Sequence, residues 1–278
     1  MPDYLVMLIM KINRHYVPYV ICFVVFIGLF QFANAQVLNT DKTAGLDSTK
    51  KIQSQISLAI ATDQQKKSLV DLFYAGDFTF IGKNNATTLY TKIDRVSNGG
   101  QSIQDIGTFQ LKHNESLGKQ FYWESFLQYQ WDGGLGLESR SLAGMNIVHY
   151  FKNTQTEDFF LGGGLFLEKE DWNWSAVNDE TLIHNAPIHI THPKINLTAK
   201  YSIINPTNNF EVIVRAFNQS GWYKNNFSNR TSVFTTLQFP ISKRLSTSFN
   251  IDFLYDTAPI VPIDHFHYNY AQSLSFSF

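Results

Sequence analysis

The sequence predicts an all-β chain, a transmembrane antiparallel up-and-down β-barrel of about twelve strands. Three observations predict it. Charged residues make up only 16% of the 278 residues, against roughly 25% in an average soluble domain. Aromatic residues reach 15%, with 24 Phe and 13 Tyr, yet the mean hydropathy is slightly polar at −0.16. A soluble globule would carry more surface charge, and a helical membrane protein would be far more apolar. The third observation reconciles the first two: past Lys50, apolar and polar residues alternate with a period of two. Segments of about ten alternating residues, separated by turn residues, suit strands with one face on lipid and one on a lumen. Such a sheet must close, because an open edge in lipid leaves backbone groups without partners. A soluble β-sandwich also alternates, but its solvent face carries more Lys and Glu than these Ser-, Asn-, Gln- and Gly-rich faces.

The chain opens on an address. Lys11, Arg14 and His15 precede an apolar run from Val17 to Phe30, and Ala33-Asn34-Ala35 supplies a small-x-small site. That order predicts a secretory signal peptide over residues 1–35, cleaved after Ala35. The alternative is a retained anchor, since the run is at the lower limit for a spanning helix. Residues 36–51 then form a periplasmic segment ahead of a barrel over 52–278. The one cysteine, Cys22, lies in the leader, which excludes disulfides, zinc–cysteine sites and a cysteine nucleophile from the mature chain. Export without disulfides fits a Gram-negative envelope.

The alternation places strands at roughly 53–62, 68–81, 87–96, 104–113, 119–131, 137–150, 158–169, 194–203, 209–219, 231–239, 245–255 and 265–278. Ten or fourteen strands are the other counts the pattern allows. The even-numbered connections are short turns, and the longest connections are odd-numbered: Glu170–Pro193, Ser220–Arg230 and Asp256–Asp264. With both termini in the periplasm, the long ones are extracellular loops. The eighth strand starts at Lys194 because Pro193 removes a ladder hydrogen bond, which leaves Ile188–His192 as loop or strand extension. Trp123, Trp131, Trp172, Trp174, Trp222 and Tyr223 lie near segment ends, as interfacial girdles do. The last segment alternates most cleanly. Tyr268, Tyr270, Leu274, Phe276 and the terminal Phe278 share its apolar face and look like the C-terminal signal read by the bacterial barrel-assembly machinery.

One stretch carries a family resemblance. It reads Phe126-Leu-Gln-Tyr-Gln-Trp-Asp, then Leu137-Glu-Ser-Arg140-Ser-Leu-Ala-Gly144, then Leu161-Gly-Gly-Gly164-Leu-Phe-Leu-Glu168-Lys-Glu170. This resembles the salt-induced outer-membrane protein family (YdiY-like), a domain of unknown function, most specifically over Gln120–Asp171. The resemblance implies an exported outer-membrane barrel with a link to salt or osmotic stress, and it supplies no activity.

Folding strands six and seven about a Phe151–Glu157 turn places Arg140 opposite Glu168 and Gly144 opposite Gly164 on the lumen side. Gln128 falls near Arg140 across the preceding hairpin, and Lys200 falls opposite Glu211. A guanidinium held by a carboxylate and an amide is first a clamp and second a solute-selecting group. Facing glycines allow close approach or bending.

Other chemistry is thinly represented. The nearest local candidate for a lipid-modifying hydrolase is His113-Asn114-Glu115-Ser116, which sits in an expected turn and reads more simply as turn residues. His184, His189 and His192 fall in the longest expected loop without a metal-site pattern, and no metal is expected. His265 and His267 share the lumen face of the last strand. Gly162-Gly163-Gly164 lies inside a strand, so it is no nucleotide loop, and no cofactor is expected. The net charge of −1 gives no reason to bind nucleic acid. The expected protein is a monomeric, non-enzymatic, porin-like barrel whose partners are outer-membrane lipid and, during biogenesis, the assembly machinery. Two alternatives remain: a lipid-modifying hydrolase or acyltransferase, and a ligand-binding or adhesion barrel acting through its long loops. Inward-facing Tyr122, Phe126, Leu142, Phe160, Phe166, Ile213, Phe217 and Phe234 predict a partly blocked lumen.

Overall fold

A computed structural model describes residues 51–277 apart from 65–67, 99, 155, 178–181, 183–185, 208–209 and 224–225. The expected signal peptide, the segment up to Lys50, His184 and Phe278 lie outside the described residues.

Twelve antiparallel strands close into one barrel. They are β1 (Ile52–Gln64), β2 (Ser68–Ile81), β3 (Asn85–Asn98), β4 (Gln101–Ser116), β5 (Phe121–Asp132), β6 (Leu137–Asn153), β7 (Glu157–Trp172), β8 (Ile188–Ile204), β9 (Glu211–Tyr223), β10 (Asn226–Pro240), β11 (Leu245–Asp256) and β12 (Phe266–Ser277). Each strand pairs with its sequence neighbours, and β1 meets β12 through Gln55↔Ser277 to Leu58↔Leu274.

The two faces are the inverse of a soluble protein. Leu58, Leu127 and Leu165 are 57%, 57% and 63% exposed, while Arg140, Glu168 and Glu170 are fully buried. Exposed Tyr268, Tyr270, Leu274 and Phe276 place the apolar side of β12 on the outside, with Ser273 and Ser275 buried on the inside. The chain crosses a bilayer with its strands, because an apolar exterior around a polar interior has no other stable solvent. Rings gird the short-turn end in an almost continuous run from Phe121 through His149, Phe151 and Phe159 to Tyr201. At the other end Trp222 lies against Phe227 at 5.0 Å. Leu127 sits midway along β5 on the outer face. Leu127→Arg is therefore expected to destabilise the barrel by about 2–4 kcal/mol, read from urea unfolding in lipid vesicles.

Several expected boundaries move. β4 runs on through His113–Ser116, so that tetrad is strand and not turn. β8 begins at Ile188 and contains Pro193. The proline is tolerated because β8 pairs with β7 from Ile188 onward, but with β9 only from Lys194 onward. At Pro193 the strand is one-sided, where a missing N–H costs no ladder bond. The expected Ser220–Arg230 loop is mostly strand, since β9 extends to Tyr223 and β10 starts at Asn226. Ser228 and Arg230 turn into the lumen, and on the outer face the Asn218 amide donates to Asn229 Oδ1 and Thr231 Oγ1, each at 2.7 Å. Between β5 and β6, Asp132 caps a single 3-10 turn (Gly133–Leu135), and Gly136 at φ 75° returns the chain.

The long-loop end is half covered. Leu137, Trp172, Val177 and Val261 form a buried cluster, with Trp174, Ile260 and Ile263 packed on it. Trp172 and Trp174 thus join a cap built from the β7–β8 and β11–β12 loops and do not join the lipid girdle. Aromatic bulk outweighs an interfacial position here, because the cap buries it against Val261, which is fully buried.

Candidate functional site: the lumen

The interior divides into a filled half and a hollow half. The filled half follows β4–β10. Beneath the cap lies a ring of ion pairs. Glu168 accepts from Arg140 Nε at 2.6 Å and faces Lys194 Nζ at 2.6 Å. The Arg140 Nη2 group donates to Gln219 Oε1 at 2.8 Å. Arg230 is gripped on two sides, by Glu170 (Nη2 to Oε2, 3.0 Å) and by Asp256 (Nε to Oδ2, 2.7 Å). The Trp172 indole N–H donates to Glu170 Oε2 at 3.1 Å, and its ring lies 5.9 Å from the Arg230 guanidinium. Three cations meet three carboxylates, so the formal charges of the ring pair off, and His192 Nε2 also lies 3.3 Å from Glu168 Oε2. Charges this deep are tolerated only with such pairing.

Below the ring Phe126, Leu142 and Phe166 form a dry layer. A second polar layer follows. Lys112 faces Glu124 at 3.4 Å, Asn146 donates to Glu124 at 2.7 Å, Asn196 donates to Asn146 at 3.1 Å, and Lys200 donates to Asp158 at 2.7 Å. Val148, Tyr150 and Phe160, with Tyr122, cluster at the short-turn end of this half, where they line a cavity of about 300 Å³.

The sequence-expected residues all come from strands, and most face the lumen, but their partners differ. Arg140 does contact Glu168, although its direct neighbour in register is Glu170. Gly144 stands opposite Phe166, and Gly164 stands opposite Asn146, so the two glycines do not face each other. The cause is the hairpin: β6 runs on to Asn153 and β7 starts at Glu157, and with the irregularity at Tyr150/Lys152 this slides the register by an even number of residues. Gln130, not Gln128, is opposite Arg140, and Gln128 instead accepts from Gln110 at 2.8 Å. Lys200 is opposite Arg215 and binds Asp158, while Glu211 lies opposite Ile204 and Gln238. That slip arises because Asn205–Phe210 forms the β8–β9 turn, longer than expected. Sequence reasoning missed Lys194, Gln219, Arg230 and Asp256. Arg230 and Asp256 were assigned to loop edges, and the inward period of β10 and β11, through Ser232 and Leu254, was the signal that could have found them.

The hollow half follows β1–β3 and β10–β12, with contributions from β4, β5 and β9. A cavity of about 320 Å³ opens at the long-loop end beside Gly134, Leu135 and His267. A second, of about 170 Å³, reaches toward the short-turn end at Gln55, Gln238 and Ser275. The two share Lys92, Phe234, Asp252 and Asn269, which form the waist between them. His267 lines the upper cavity, whereas His265 bonds the Asp256 carbonyl in the adjoining loop at 2.6 Å.

Hydrolase geometry does not assemble at the expected tetrad. His113 faces outward and meets Thr87 Oγ1 at 2.8 Å, while Asn114 and Ser116 line a cavity inside. On the outer face of β6–β8, Asp171 joins Ser139 (2.6 Å) to His189 (2.6 Å). The carboxylate lies between hydroxyl and imidazole, so the imidazole is not placed to take the hydroxyl proton, as general-base activation requires. Among the described residues no group of three or more His, Cys, Asp or Glu is arranged to hold a metal ion.

No protein-family model matches the chain, and no curated protein matches it. Among solved structures it is similar to the NanC porin, at 8% identity and a TM-score of 0.48, over 81% of this chain and 100% of that one. It is similar to the Pseudomonas putida toluene transporter TodX at 6% identity and a TM-score of 0.33, over 81% and 86% of the two chains. A chain from a study of in-meso crystallisation of membrane proteins matches at 5% identity and a TM-score of 0.38, over 82% and 83%. At such values no residue role is carried from them to this chain.

Proposed function

We propose that the protein is a monomeric outer-membrane channel of a Gram-negative bacterium, passing small solutes by diffusion along the hollow half of its barrel. The observation that carries this reading is the pair of cavities joined at Lys92, Phe234, Asp252 and Asn269, which between them reach both ends of the lumen. The leader over 1–35 supports export, and the aromatic alternation through Phe278 supports insertion by the barrel-assembly machinery. The short turns then belong in the periplasm and the capped end outside. The Arg140–Glu168 contact acts as a clamp that walls off one half of the lumen, and Gly144 and Gly164 let that wall pack closely. The resemblance of Gln120–Asp171 to the salt-induced family supports a link to salt stress as part of this reading.

Planar-bilayer recording tests the reading. Refolded protein should insert with discrete conductance steps. Silence at all voltages, from protein whose folded state is verified by heat-modifiable gel migration, overturns it.

A further inference from the structure

We infer that the short-turn rim of the barrel binds anionic phospholipid headgroups, through Lys51, Lys83, Lys119, Lys243 and Arg244. The inference stands on the membrane-spanning barrel and not on conduction. It goes beyond the channel reading by naming the class of lipid and the side chains that hold it.

The turns place the cations. Lys51 immediately precedes β1, Lys83 lies between β2 and β3, Lys119 between β4 and β5, and Lys243 with Arg244 between β10 and β11. All of them are exposed. Lys152, beside the β6–β7 turn, is taken by Glu157. Carboxylates at this end are few among the described residues. Glu211 acts on Lys200 and Arg215 inside the lumen, which leaves Glu115 as the exposed one. The long-loop end is balanced differently: Arg95 meets Asp105 at 3.5 Å, Lys169 lies in the field of Asp171, and Glu138 and Asp264 add exposed carboxylates.

A second, independent observation says what faces the rim. Each cation stands beside an apolar side chain turned outward: Ile52 after Lys51, Phe80 before Lys83, Leu117 and Phe121 on either side of Lys119, and Ile241 before Lys243 and Arg244. The run of rings from Phe121 to Tyr201 marks the same level as the bilayer boundary. At that depth a long basic side chain lays its stem on acyl chains and lifts its charge to the phosphates. A soluble anionic partner would have no use for the apolar neighbours. Nor do the turns need the charges. Gly82 N–H donates to the Asn85 carbonyl at 2.8 Å, Ser116 Oγ to the Gly118 carbonyl at 2.8 Å, and Leu245 N–H to Ser242 Oγ at 3.1 Å. With the turns held by backbone and hydroxyl groups, the basic side chains are left for the membrane. With the short turns in the periplasm, that surface is the inner leaflet of the outer membrane.

The test folds the full-length protein into phosphatidylcholine vesicles that contain equal mole fractions of brominated phosphatidylglycerol or brominated phosphatidylcholine. Tryptophan quenching reads which lipid gathers at the wall, and Trp123 reports from the short-turn end of β5. The wild type should enrich phosphatidylglycerol about five-fold, which is about 1 kcal/mol, the worth of one basic side chain near an anionic leaflet. The enrichment should shrink on raising salt from about 0.1 M to about 1 M, as the Debye length falls from about 10 Å to about 3 Å. Lys83→Gln, Lys119→Gln, Lys243→Gln and Arg244→Gln combined should abolish it, whereas Lys169→Gln at the other end should leave it unchanged. The salt series on the wild type keeps the test alive if the combined variant fails to fold. Equal quenching by the two lipids, or a preference that the combined variant leaves intact, overturns the inference and leaves the channel reading untouched. Quenching by neither lipid overturns the bilayer placement and the inference together.

Discussion

Replacing Glu168 with alanine is expected to cost about 3–5 kcal/mol of barrel stability, the range seen when one member of a buried ion pair is removed. Glu168 is fully buried and answers Arg140 and Lys194, with Arg230 also within 3.3 Å. Without it, Glu170 and Asp256 must serve three cations. The ring would then hold net positive charge beneath a cap of Leu137, Trp172 and Val261 that keeps water out. The cost is that of an uncompensated buried charge and not merely of lost contacts. Two comparisons separate these. Lys194→Met in the Glu168→Ala background removes one of the excess cations and should restore part of the loss. Asp171→Asn, on the outer face of the same strand, breaks a more exposed pair with His189 and should cost no more than about 1 kcal/mol. Urea titration in lipid vesicles, followed by tryptophan fluorescence, reads all three. A loss below about 1 kcal/mol for Glu168→Ala would mean that water reaches the ring.

That ring also shows which parts of the structure the sequence made legible. Period-two alternation and short even-numbered connections are local properties, and they sufficed for the strand count and for closure. Face assignment survived register errors because the slips were even. Arg140 and Glu168 both stay in the lumen whether Glu168 or Glu170 is the direct neighbour. The partner itself depends on where a hairpin turns, and irregularities at Tyr150/Lys152 and Leu137/Ser139 leave no mark on the alternation. Composition misled at Ser220–Arg230, where Ser220, Ser228 and Asn229 resemble a loop but lie on strands, and Asn229 accepts from Asn218 of the neighbouring strand. The waist was illegible for a different reason. Lys92, Phe234, Asp252 and Asn269 come from four strands spread over most of the barrel sequence, and only closure of β1 on β12 brings them together.

The three consecutive glycines of β7 offer the other large effect. Gly164→Ala is expected to lower stability by about 1–3 kcal/mol from overpacking alone, because the added methyl group would run into the Met145 carbonyl oxygen and Asn146. Backbone cannot rotate aside as a side chain can. Asn146 is moreover the hinge of the lower polar layer, donating to Glu124 at 2.7 Å and accepting from Asn196 at 3.1 Å. Displacing it weakens a hydrogen bond to a buried carboxylate, which adds about 1.5–3 kcal/mol. The adjacent Gly163 points the other way. A methyl there meets Leu197 Cδ2 at 3.4 Å and Asn196 O at 3.7 Å, ordinary contact on the lipid side. Gly163→Ala should therefore fall within about 0.5 kcal/mol of the parent. One residue of displacement along the strand separates a severe effect from none, because it exchanges the lumen for lipid. Urea midpoints measured side by side for the two variants decide it, and equal midpoints would mean that β6 does not approach β7 as closely as the register requires.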